Sequence, residues 1–75
     1  MTHKETSKKL REIPLLADFN RVLDACTLST TEKTIIQLHY LEKQDFQDIG
    51  DRLGYTESRI KQIHRAALRK IAFAL

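Results

Sequence analysis

Apolar residues along this chain recur at helical spacing, and no stretch alternates apolar and polar in the way a half-buried strand would. Leu15, Leu16, Phe19, Val22, Leu23 and Cys26 fall on one face of a helix, with Asp18, Arg21 and Asp24 outside it. Pro14 suits that helix's first position, where its missing N–H costs nothing, and Thr27-Leu28 ends it. Ser29-Thr30-Thr31-Glu32 has the form of a capping box, so a second helix runs from there to about Leu41, with Ile35, Ile36, Leu38 and Tyr40 as apolar contacts. Glu42 to Asp45 makes a short connection, and Asp45 can cap a third helix. The pattern predicts helices near 14–26, 30–41, 46–53 and 57–72, an all-α domain of four helices. Ile35, Leu38, Ile49, Leu53, Ile60, Ile63 and Leu68 should be buried. Met1 to Ile13 is polar and weakly patterned and reads as a flexible basic arm or linker ahead of the domain at 14–75.

Phe46 to Arg65, FQDIGDRLGYTESRIKQIHR, carries a helix-turn-helix pattern position by position. Ile49 and Leu53 face inward from the first helix. Gly50 lies between them, where two steeply crossing helices leave little room for a side chain. Gly54 can take the left-handed conformation of a tight turn. Tyr55 plugs that turn, Thr56 can cap the next helix, and Ile60 and Ile63 bury it. Ala67, Leu68 and Ile71 continue its inner face. Ser58, Lys61, Gln62, Arg65 and Arg69 occupy the opposite face. In this motif the outer face enters the major groove. Ser58 and Gln62 can read base edges, whereas Lys61, Arg65 and Arg69 suit phosphates. Glu57 can accept from a cytosine amino group or simply stabilise the helix dipole. Thr56 flanks the same surface, Arg59 is expected to pack sideways or pair with an acid of the preceding helix, and His64 lies between the two faces.

Charge sharpens this picture. Met1 to Ile13 has four bases and two acids, Pro14 to Gly54 four bases and seven acids, and Tyr55 to Leu75 five bases and one acid. The overall +3 is therefore segregated onto the two ends, as a basic working surface on an acidic body requires. At 75 residues the chain has room for one small domain. Cys26 has no partner for an internal disulfide and reads as a buried thiol in a reducing compartment. His3, His39 and His64 are too scattered to form a local ligand set with it, so neither metal nor cofactor is expected. No acid–base pair, activated nucleophile or phosphate-cradling loop suggests an enzyme. No apolar N-terminal stretch suggests a signal or membrane anchor.

Leu28 to Ile71 resembles the C-terminal promoter-binding domain of sigma-70-family bacterial sigma factors. The resemblance is carried by Leu28, Tyr40, Asp48-Ile49-Gly50, Leu53-Gly54, Ile60, Gln62-Ile63 and Ala67-Leu68-Arg69-Lys70-Ile71. The helix from Pro14 to Cys26 takes the place of that domain's first helix more loosely. Glu57-Ser58-Arg59, Gln62-Ile63-His64 and the short connection after Tyr40 look like the flagellar, alternative type. Primary factors resemble Arg-Glu where this chain has Glu57 and Ser58, which sets it apart from housekeeping recognition.

The resemblance implies a bacterial cytoplasmic, nucleoid-associated protein that recognises a −35-type element through Thr56, Glu57, Ser58, Arg59, Lys61, Gln62, Arg65 and Arg69. It implies contact with the β flap of RNA polymerase core, with Phe19, Val22, Leu38 and Leu41 as candidates, core packing being the other explanation for most of them, and an anti-sigma factor as a further partner. Nothing here corresponds to the polymerase-binding, −10-melting part of a full sigma factor, so the chain is expected to be an excised domain or a small protein that kept only this domain. Two alternatives share the sequence: a stand-alone regulator that dimerises through the apolar tail from Ile71 to Leu75, and a sigma-like module that binds polymerase or an anti-sigma partner without reading DNA.

Overall fold

The computed structural model describes residues 2–13 and 16–74; the expectations for Pro14 and Leu15 lie outside them. Among the described residues there are five helices and no strand: α1 (His3–Arg11), α2 (Leu16–Ala25), α3 (Thr30–Tyr40), α4 (Phe46–Leu53) and α5 (Glu57–Ala74). Four match the expected elements. The fifth, α1, occupies what reads in sequence as a flexible arm, and the expectation of four helices is corrected accordingly.

α1 forms because Thr2 caps it, accepting from the backbone N–H of Glu5 at 3.2 Å, while Lys8, Lys9 and Arg11 favour its C-terminal dipole. Its inward face is Thr6, Ser7 and Leu10, two hydroxyls and one leucine. Thr6 returns its hydroxyl to the Thr2 carbonyl at 3.1 Å, so burying it leaves no unpaired donor. Leu10 is fully buried, worth roughly 1.5–3 kcal/mol of transfer free energy.

α3 starts at the expected capping box. Ser29 Oγ accepts from Glu32 N–H at 3.1 Å, and Glu32 Oε1 accepts from Ser29 N–H at 3.0 Å. The same carboxylate oxygen takes Lys70 Nζ at 2.7 Å, tying the second half of α5 to the start of α3. Burial alone would raise the pKa of Glu32, but the hydrogen bonds from Lys70 and Ser29 outweigh it and hold the carboxyl below its ordinary range.

The core is two clusters. Leu10, Phe19, Leu23, Ile36, Ala67, Leu68 and Ile71 join α1, α2, α3 and the second half of α5. Ile35, Leu38, Ile49 and Ile60 join α3 to α4 and the first half of α5, with Phe46, Leu53 and Ile63 packed around them. The consecutive residues Ile35 and Ile36 face different clusters, so α3 is a shared wall. Of the seven residues expected inside, Leu53 and Ile63 are half-buried and the other five are buried. Cys26 is half-buried against the first cluster, donating to the Val22 carbonyl at 3.1 Å, and burial pushes its thiol pKa up.

Candidate nucleic-acid interface

The turn between α4 and α5 is set by two glycines with different tasks. Gly54 sits at φ 80°, left-handed backbone that L side chains rarely adopt, and nothing crowds its missing Cβ. Gly50 is limited by space instead. A Cβ there would lie 2.6 Å from the Tyr55 carbonyl oxygen, because the N–H groups of Gly54 and Tyr55 both fold back onto the Gly50 carbonyl, at 2.9 and 2.8 Å. The room is therefore taken by the turn's own backbone. Tyr55, expected to plug the turn, is 43% exposed.

Thr56 Oγ1 accepts from Arg59 N–H at 3.2 Å and so caps α5 as its position predicted. At the other end of the motif, Asp45 accepts from Asp48 N–H at 2.8 Å and caps α4. With both ends fixed, Ile60 is held at zero exposure against Ile49, and the opposite side of α5 is left in solvent.

The structure brings the sequence-predicted DNA contacts together on that side. Thr56, Glu57, Ser58, Arg59, Lys61, Gln62, Arg65 and Arg69 are all exposed. Within the group, Lys61 pairs with Glu57 at 3.5 Å, a solvated contact worth at most about 0.5 kcal/mol and easily exchanged for a phosphate. Arg59 turns along its own helix, donating to Gln62 Oε1 at 3.4 Å, rather than to an acid of α4. Ser58, Gln62, Arg65 and Arg69 recur at helical spacing along one stripe.

The four polymerase candidates are not brought together. Phe19 is 1% exposed in the first cluster and Leu38 7% exposed in the second, so both are core residues and neither presents a surface. Val22 is half-buried against the first cluster, and Leu41 is 38% exposed at the end of α3. An amphipathic stripe by itself does not separate a face that buries from a face that docks, and for Phe19 and Leu38 burial won.

The sequence reading missed a polar seat where α1, α3, α4 and α5 meet. Ser7 Oγ and Tyr40 Oη are 2.7 Å apart, and Tyr40 Oη and His64 Nε2 2.8 Å. With the His64 proton on Nδ1, Tyr40 donates to Nε2 and Ser7 donates to Tyr40; with it on Nε2, the imidazole donates to Tyr40 and Tyr40 to Ser7. His39 stacks on Phe46 at 4.4 Å between ring centroids, Phe46 meets His64 at 4.8 Å, and Arg11 lies over the Tyr40 ring at 5.2 Å. Burial, followed by the nearby positive groups of His39, His3, Arg11 and Arg65, pushes the His64 pKa down to about 4. Burial also raises that of Tyr40. Among the described residues no three His, Cys, Asp or Glu side chains converge as metal ligands, and no helix is long and apolar enough to cross a membrane.

A glycine-pinned turn between two capped helices, with the second helix exposing a basic stripe, defines a helix-turn-helix domain. The family described as Sigma-70, region 4 matches residues 26–72, and the chain belongs to that family. It is similar to the RNA polymerase sigma factor FliA of Escherichia coli strain K12, with 38% identity over 72 residues, covering 88% of this chain and 30% of the relative. The FliA proteins of Escherichia coli O6:H1 and O157:H7 match to the same extent. The chain thus spans about a third of the length of the curated relatives it matches. No solved structure matches it.

Proposed function

We propose that this domain binds promoter DNA at a −35-type element during transcription initiation, inserting α5 into the major groove. The carrying observation is the solvent-facing stripe of Ser58, Gln62, Arg65 and Arg69 on a helix whose start is fixed by the Thr56 cap and the Gly54 turn. Gln62 faces solvent, its amide oxygen taking an exposed hydrogen bond from Arg59 at 3.4 Å, so burial does not account for the amide. One turn after Ser58, it is positioned to pair with an adenine edge, while the arginines and Lys61 hold phosphates. Family membership and the similarity to FliA support the same reading and add RNA polymerase core as the second partner. Leu41 and Val22 are the apolar candidates that remain for that contact, including contact with the β flap or an anti-sigma factor. Such a protein works in the bacterial cytoplasm, on the nucleoid.

The test is Gln62→Ala against a panel of duplexes. The preferred sequence should lose roughly 1–3 kcal/mol of binding, with base preference relaxed at one or two positions and little change on mixed-sequence DNA. An unchanged panel would overturn base reading by α5. Phe73, 95% exposed near the end of α5, favours a second reading, a regulator that dimerises through this part of its apolar tail, Ile71 being buried in the first cluster. Cooperative binding that requires a palindrome would establish that reading in place of the first.

A further inference from the structure

Arg11, His39, Tyr40 and Lys43 line one hollow on the surface. It joins α1 to the end of α3, two parts of the chain that the sequence gives no reason to associate. Each member is positioned by a contact of its own. Arg11 rests on the Tyr40 ring, which Ser7 and His64 hold by hydrogen bonds. His39 Nδ1 faces the Gln44 carbonyl at 2.8 Å, and since a carbonyl only accepts, that nitrogen carries a proton and the ring's orientation is set. Lys43 sits at φ 57°, where the loop closed by Gln44 N–H on the Leu38 carbonyl turns the chain.

Of the acids near in sequence, Glu42 lies 3.9 Å from Arg52 and Glu12 4.0 Å from Lys8, both loose solvated pairs, and Asp45 caps α4. Among the described residues, neither Arg11 nor Lys43 is in a salt bridge with a carboxylate. Arg11 and His39 are also among the causes, after burial, that push the His64 pKa down.

We propose that this hollow is a phosphate notch, in which Arg11 and Lys43 grip a backbone phosphate of the duplex that α5 reads, with the His39 ring as its wall. The proposal rests on the DNA-binding reading above and extends it to a helix outside the family-matched residues. Two contacts place the notch beside the DNA face. Tyr40 is bonded to His64, the neighbour of Arg65 on α5. His39 stacks on Phe46, the first residue of α4, and in a helix-turn-helix the first helix crosses the sugar–phosphate backbone. A guanidinium held over an aromatic ring keeps its N–H edge for an anion, the geometry that suits phosphate oxygens.

The experiment measures affinity for a mixed-sequence duplex as a function of salt, using the full chain. The variants are Arg11→Gln, Lys43→Asn, their combination, and Lys9→Gln as a control that removes one charge from the other flank of α1. Asn tolerates the left-handed backbone at position 43, so the loop survives. Each notch variant should bind several-fold more weakly at low salt on every sequence. The combination should lower the slope of log affinity against log salt by about 0.9, the value for one phosphate contact, and Lys9→Gln should leave it unchanged. Equal loss in Lys9→Gln would reduce the effect to general charge and overturn the notch. Unchanged slopes in Arg11→Gln and Lys43→Asn, with lowered slopes in Arg65→Gln and Arg69→Gln, would overturn the notch alone. If those two α5 variants also left the slope unchanged, notch and DNA reading would fall together.

Discussion

The two halves of this molecule are held by different chemistry. Around the turn, Ile35, Leu38, Ile49 and Ile60 meet without a polar side chain among them. Around α1, the apolar cluster of Leu10, Phe19, Leu23, Ile36, Ala67, Leu68 and Ile71 is edged by buried hydroxyls and by a line of hydrogen bonds from Ser7 through Tyr40 to His64, which makes this the more polar half. The aliphatic half depends on volume, and it fixes the angle at which α5 leaves the turn. The polar half depends on each hydrogen bond having its partner, and that makes it sensitive to substitutions and to pH that the other half tolerates.

The largest expected effect lies in the aliphatic half. Ile60→Ala should cost about 2–5 kcal/mol in urea unfolding, since a fully buried branched side chain leaves a cavity among rigid neighbours. A loss no greater than that of a surface substitution would erase the distinction between the halves. Tyr40→Phe keeps the ring but strands the Ser7 hydroxyl and His64 Nε2, at a cost of roughly 1–3 kcal/mol. Amide exchange should then speed up in α1 and stay slow in α4, and uniform acceleration would show that the polar seat is not a local fastening.

The smallest effect separates the halves by pH. Unfolded, the His64 ring takes a proton near 6.5; folded, only near 4. Between those values the unfolded state binds more protons, so stability falls as pH drops through that window and is flat above it. The ring is partly solvated, which brings the loss to on the order of 1–2 kcal/mol. His64→Gln should flatten the melting temperature across the same window, and a profile as steep as the wild type's would assign the loss elsewhere.

Legibility in the sequence follows the same division. The boundaries of α3 and α4 were readable because their caps are local: Ser29 with Glu32, Asp45 with Asp48, and Gly54 after Leu53. The exposed stripe of α5 was readable because it is the complement of an apolar one. α1 was not, because its inward residues are Thr6 and Ser7, and hydroxyls that find partners only in the folded state carry no hydrophobic period. One signal was present, Thr2 three residues ahead of Glu5, a capping pair that marks a helix start regardless of what the helix buries. The seat at Tyr40 and His64 joins residues 24 apart in the chain, and no spacing rule reaches that far.

α5 runs unbroken for 18 residues, about 27 Å, nearly the full 29 Å of the molecule's longest dimension. It belongs to both halves, clamped near its C-terminal end by Lys70 on Glu32 and near its N-terminal end by Ile60. Mechanically it is a shaft in two bearings. A force that tilts α1 or loosens the Glu32 clasp applies torque to the same rod whose far end carries the exposed stripe, with no chain of moving side chains needed between them.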